Sequence, residues 1–141
     1  MWQKRVGDFM MTDVIGDFFT RIRNAQKAGR ETVEIPFSKL KFNIALVLKR
    51  EGFVRDYEAV DPGDGKRKLV LKLRYDEAGK ALIDHIGRVS RPGHRVYSGH
   101  KSERKVRSGL GARILSTPLG VMTDREATEK RVGGEVLGEI W

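Results

Sequence analysis

The residues with most to offer chemically lie close together in the last thirty positions or so: Ser116 and Thr117, then Gly120, Thr123 and Glu126, then Gly133, Gly134 and Glu135. Hydroxyls donate and accept hydrogen bonds without a fixed protonation state, and a double glycine leaves bare backbone that another molecule can approach closely. Such a set suits the reading of sugar hydroxyls and base edges. The same pattern also fits a plain strand–turn–strand corner followed by a capped helix. Proton-transfer chemistry is a poor fit, because no pair of titratable groups is arranged for it. His85, His94 and His100 fall outside metal-ligand spacing, and no carboxylate cluster accompanies them. The chain has no cysteine, which excludes disulfides, thiolate zinc sites and a cysteine nucleophile. Gly109-Leu110-Gly111 lacks the spacing of a nucleotide loop, and no nucleophile elbow occurs. The reading is therefore not an enzyme, with no cofactor and no metal.

These residues need elements to hold them. Ile114 and Leu115 predict a short strand that breaks at a turn over Ser116 to Gly120, with a second strand at Val121–Met122. Thr123 and Glu126 stand in capping-box relation, so a helix starts near Asp124 and Gly133 and Gly134 supply its stop. A last strand runs from Glu135 to Trp141.

Upstream, Asp13 is a fitting N-cap for a helix with Ile15, Phe18, Phe19, Ile22 and Ala25 or Gln26 on one stripe, ended by Gly29. Thr32 to Pro36 alternates as a strand. Ser38 opens a second helix with apolar Leu40, Ile44, Val47 and Leu48, closed by Gly52. Lys39 and Lys41 at its positive end suit either phosphate attraction or simple solvation. Phe53–Val60 and Lys68–Tyr75 read as a hairpin across residues 61 to 65, with Leu69, Leu71 and Leu73 on one face. Polar Asp76 to Lys80 is the candidate linker. Ile83, Ile86 and Val89 then lead to Arg91-Pro92-Gly93-His94, a pairing suited to a type II turn. A strand at Arg95 to Ser98 carries Tyr97, either half-buried or free to stack on a ribose or base. Lys101 to Ser108 reads as a short helix or an irregular basic segment.

Charge is unevenly spread. The chain of 141 residues holds 28 basic and 19 acidic side chains, net +9. Arg88 to Arg113 carries eight basic residues against the single Glu103, whereas Ile114 to Trp141 carries three basic and five acidic. A basic stripe thus leads into the hydroxyl corner without including it. That points to a polyanionic partner, with cations supplying salt-dependent phosphate attraction and the nearly neutral corner supplying discrimination. A solvated charged face is the plainer reading of the stripe. No apolar run approaches the roughly 20 residues needed to span a bilayer, and no basic amphipathic helix of the interfacial type stands out, so a membrane partner is not expected. Met1 to Met10 has no apolar core of a secretory signal and reads as a flexible extension or an upstream start.

The runs ILST, GVMTDREA and VGGEVLGEIW, with DFFTRIRNAQKA, IPFSKLKFNIALVLKREGFV, RVSRPGHRVY and GLGARILST ahead of them, resemble the family of bacterial small-subunit ribosomal protein eight, in the same order from Met11 to Trp141. The family's turn is Ser-Thr-Ser followed by a basic residue and Gly. Here it is Ser116-Thr117-Pro118-Leu119-Gly120, one hydroxyl and one positive charge short. The resemblance implies a cytoplasmic protein of the ribosome. It would be a primary binder of the central domain of small-subunit ribosomal RNA, beside neighbouring small-subunit ribosomal proteins, and a repressor of its own operon's messenger RNA. The RNA-binding residues expected are Thr12, Ser38, Lys39, Arg91, Tyr97, Ser116, Thr117, Gly120, Gly133, Gly134 and Glu135.

The expected fold class is α/β in the α+β sense. After an extension over residues 1–10, residues 11–78 read α-β-α-β-β, and residues 79–141 form a mainly β subdomain with one short helix. A sequence-indifferent RNA chaperone that needs only the basic stripe, and a protein-interaction scaffold, are the other two classes the residues admit.

Overall fold

The computed structural model describes residues 13–100 and 111–141. The expected extension over residues 1–10, Thr12, the basic segment Lys101–Ser108 and the first two residues of Gly109-Leu110-Gly111 lie outside them.

Helix α1 (Val14–Lys27) is capped by the Asp13 side chain, which accepts from the Gly16 N–H, and it buries the expected stripe of Ile15, Phe18, Phe19, Ile22 and Ala25. Strand β1 (Thr32–Pro36) follows, then helix α2 (Lys39–Arg50), whose first turn is held by the Ser38 hydroxyl accepting from the Lys41 N–H. Strands β2 (Val54–Val60) and β3 (Lys68–Leu73) complete an antiparallel sheet in the order β1-β3-β2. Period-two alternation puts Leu69, Leu71 and Leu73 inside, each worth about 1.5–3 kcal/mol of transfer free energy.

The second sheet is built from β4 (Ile86–Arg88), β5 (Tyr97–Ser98), β6 (Ala112–Thr117), β7 (Gly120–Thr123) and β8 (Gly134–Ile140), in the order β4-β8-β6-β7 with β5 also pairing with β8. A register shift in the β6–β8 pairing lets consecutive Ile114 and Leu115 both be buried, in two different apolar clusters. Helix α3 (Asp124–Lys130) starts with the capping box of Thr123 and Glu126.

The two sheets share one core. The main apolar cluster joins Phe18, Phe19 and Ile22 of α1, Ile44 and Leu48 of α2 and Leu69 and Leu71 of β3 to Ile86, Ile114, Leu137 and Ile140 of the second sheet. At the joint, a methyl group on Gly138 would fall 2.5 Å from the Phe19 ring and 2.6 Å from the Gly87 carbonyl, so the ring seats directly on bare backbone. Polar links reinforce it. Arg88 donates to Asp13 at 3.1 Å and to the Leu137 carbonyl at 2.8 Å, and Arg23 donates to the Ile86 carbonyl.

Four local expectations are corrected. Helix α3 ends not on a glycine but on Arg131, itself left-handed at φ 56° and ψ 43°. Gly93 does not take positive φ, so the Arg91–His94 turn, closed by bonds of 2.9 Å in both directions, is not type II. Leu40 stands partly exposed, its place in the core taken by Ala45 and Lys41. Lys41 is only 4% exposed, so it is not one of the solvent-facing cations at the start of α2.

Desolvation lowers the Lys41 pKa, Asp17 partly offsets that, and Arg21 adds to it. A folded pKa below the unfolded one means that the unfolded chain holds this proton more tightly. The penalty is therefore present at neutral pH and is relieved as pH rises through the window between the folded value and 10.5. Lys41→Met should raise the denaturant midpoint at pH 7, with its advantage shrinking toward pH 10.5; a midpoint below wild type contradicts this. Gly138→Ala should cost about 1–3 kcal/mol in the same unfolding measurement, and a wild-type midpoint would show that the Phe19 joint is not tight.

Candidate nucleic-acid interface

The hydroxyl corner is a hairpin in which Thr117 pairs with Gly120 and Pro118-Leu119 forms the tip. Proline fits the second position of such a turn because its φ is already set. Gly120 takes φ 123°, a conformation L side chains avoid. The Thr117 hydroxyl locks the loop, donating to the Gly120 carbonyl at 2.8 Å and accepting from the Leu119 N–H at 3.1 Å. The two hydroxyls therefore differ in role. Thr117 shapes the corner, while the half-buried Ser116 hydroxyl makes no hydrogen bond among the described residues and stays available. Leu119, 63% exposed, stands at the tip.

Strand β8 carries the next group. Glu135 lies opposite Ser116 on one side and Tyr97 on the other, so the three form a row across adjacent strands. At about 4.8 Å between strands the row spans about 10 Å, close to the size of a nucleoside. Tyr97 is 70% exposed, so the half-buried alternative does not hold. Arg95 donates to Glu135 at 2.9 Å, which fixes the carboxylate and raises the arginine pKa further.

Arg91 is exposed in the turn just before this row. That loop hangs on buried Ser90, whose hydroxyl accepts from the Val96 N–H at 2.9 Å and donates to the Val96 carbonyl at 3.1 Å. Neither Ser90 nor the Arg95–Glu135 pair was singled out from the sequence. Each is a contact across a loop or between strands, with no periodic signal to reveal it.

Gly133 and Gly134 do a different job from the one expected. A methyl on Gly133 would lie 2.5 Å from the Ser98 carbonyl, and one on Gly134 would lie 3.0 Å from the Thr117 Cα and closer still to the Ser116 carbonyl. The space is filled by the chain's own backbone. The glycines let β5, β8 and β6 close up, and that brings Tyr97, Glu135 and Ser116 together.

Ser38 and Lys39 are not part of this group. The Ser38 hydroxyl is engaged as a helix cap at 3.1 Å, and Lys39 is exposed beside it. They stand at the far end of α2 from Arg50, roughly 18 Å along the helix. Arg50 bonds to Glu126 at 2.6 Å, and the same carboxylate oxygen accepts from the Thr123 N–H at 3.2 Å. Among the described residues, no group of three or more histidines and carboxylates is placed to hold a metal ion. No helix among the described residues is long and apolar enough to cross a membrane.

Comparison with known proteins agrees with this architecture. Residues 13–141 match the family model described as Ribosomal protein S8. The small ribosomal subunit protein uS8 of Thermus aquaticus is 49% identical over 94% of this chain and 100% of its own length. That of Streptococcus agalactiae is 48% identical over 94% and 99%, and that of Rhizorhabdus wittichii is 50% identical over 93% and 98%. With one family model spanning nearly the whole chain and full-length relatives near half identity, the chain belongs to the ribosomal protein S8 family, a structural and non-enzymatic component of the small ribosomal subunit.

Proposed function

We propose that the chain binds structured RNA of the small ribosomal subunit, in its central domain, and helps it fold during assembly. The observation that carries this is the row of Tyr97, Glu135 and Ser116 beside the locked Thr117–Gly120 corner. It places an exposed aromatic ring, a fixed acceptor and a free hydroxyl within the span of about one nucleoside. Sequence-indifferent phosphate binding has no use for such a row.

Roles divide by chemistry. Arg91, Lys39 and the cations of the stripe that follows Arg91 in the sequence draw in phosphates, with a salt-dependent contribution that does not depend on sequence, whereas Arg88 is taken up by Asp13 and the Leu137 carbonyl. Ser116 and the Tyr97 ring discriminate, because an unmatched buried hydroxyl is costly and a stacked base is not replaced by solvent. Thr117, Gly120, Gly133 and Gly134 act through the backbone shape they enforce. An own-operon messenger that presents a similar irregular helix would bind the same row, which supports a repressor role. The names of the relatives also support neighbouring small-subunit ribosomal proteins as partners.

Filter binding of wild type, Ser116→Ala and Thr117→Ala to a central-domain RNA fragment, across a salt series, tests the reading. Each variant should lose about 1–3 kcal/mol with an unchanged salt slope, and binding to an unrelated structured RNA should not change. Equal affinities of all three proteins for the central-domain fragment would favour the non-specific chaperone instead.

A further inference from the structure

The three-stranded sheet has two edges, and they are treated differently. On β2 the register shifts between Val54 and Asp56, and the Asp56 carboxylate accepts from the Tyr57 N–H at 2.8 Å. That bulge and that side chain blunt the edge against another strand. In the second sheet, α2 packs against edge strand β7, and α1 packs against edge strand β4.

Strand β1 also touches α1, but a hollow separates its outer main-chain groups from that helix and no bulge interrupts its register. Leu73 donates to the Glu31 carbonyl and Phe37 to the Arg67 carbonyl, so the odd-numbered residues of β1 bond inward to β3. By the antiparallel pattern, the N–H groups of Thr32 and Glu34 and the carbonyls of Thr32, Glu34 and Pro36 then point outward along the edge. All three residues are exposed, and those groups make no hydrogen bond among the described residues. Only Pro36, which has no N–H, ends the open stretch.

Two adjoining hollows of about 730 and 570 Å³ run along this edge and share Arg21 and Glu34. Their walls carry Arg30, Lys66 and Arg67, none of which has a carboxylate partner among the described residues. The Arg67 guanidinium carbon lies over the Phe37 ring, 3.9 Å from its centroid.

We infer that this trough receives an extended acidic segment of another protein, which adds a fourth strand beside β1 and sets its carboxylates among Arg21, Arg30, Lys66 and Arg67. Strand addition takes affinity from main-chain bonds and specificity from alternate side chains. A peptide offers both the acceptors that Thr32 and Glu34 need and the donors that the three carbonyls need. An RNA backbone offers acceptors on every phosphate and only the 2′-hydroxyl as a donor, without the regular alternation of a strand, and would set its phosphates against those carbonyls and the Glu34 carboxylate. A second copy of this chain would bring like cations together. The inference stands apart from the RNA reading, since it uses neither the hairpin corner nor β8.

The test uses the full chain and a short capped peptide of alternating valine and glutamate, with its lysine counterpart and a backbone N-methylated form as controls. Binding is followed by amide NMR shifts. The acidic peptide is expected to move the Thr32 and Glu34 amides, while the lysine and N-methylated forms do not. Glu34→Pro removes an outward N–H that the sheet itself does not use, so the fold is kept, as the dispersion of the remaining amides will show. It should weaken the peptide roughly tenfold, whereas Glu34→Gln should bind at least as well as wild type. Purely electrostatic attraction predicts the opposite for Glu34→Pro, which loses a negative charge. The inference is overturned if Glu34→Pro binds like Glu34→Gln, if the N-methylated peptide binds as well as its parent, if no shift occurs at the highest soluble peptide concentration, or if an RNA fragment shifts the Thr32 and Glu34 amides in the peptide's place.

Discussion

Close backbone approach at glycine is the constraint on which the second sheet depends. Gly138 admits the Phe19 ring from α1, while Gly133 and Gly134 admit the carbonyls of Ser98 and Ser116. The first contact ties the helices to the sheet through a shared apolar cluster, and the other two draw β5, β8 and β6 together. Interiors are close-packed, so a single methyl group at any of the three must displace main chain or a fully buried ring. The candidate surface is therefore a product of packing behind it. Tyr97, Glu135 and Ser116 share a row because glycine lies beside Glu135 in β8 and no side chain keeps the strands apart.

Charge and neutrality are kept separate on this surface. Glu135 is neutralised by Arg95, Glu126 by Arg50 and Asp13 by Arg88. The first two links are partly exposed on the arginine side and add little stability. Their effect is to fix and neutralise the two carboxylates. Arg88, which is mostly buried and also bonds the Leu137 carbonyl, belongs to the joint between α1 and the second sheet. Thr117 spends its hydroxyl on the hairpin and leaves Ser116 free. Pro118 and Leu119 at the tip leave a stiff apolar corner.

Elements set by local chemistry were legible in the sequence. The α1 stripe, the Asp13 and Ser38 caps, the Thr123–Glu126 capping box and the leucine alternation of β3 all depend on residues a few positions apart, and all are present. The α+β class and the family followed from the order of such motifs. Features decided by distant partners were not legible. Lys41 looks like a surface cation until α1 covers it, and the double glycine looks like an opening until Ser98 and Ser116 fill it. Arg131 takes the left-handed position where a glycine two residues later looked the better stop. The divided duties of Ser116 and Thr117 depend on the exact turn, which Pro118 and Leu119 decide.

A neutral ledge that selects RNA, with cations only holding it near, is open to direct measurement by amide-shift mapping of the full chain during titration with a central-domain RNA fragment. The predicted result is that shifts concentrate on Ser116, Gly120, Tyr97 and Glu135 and persist when salt is raised, while those at Lys39 and Arg91 fade. Shifts confined to the cationic segments, with Ser116 to Gly120 unmoved, would contradict it.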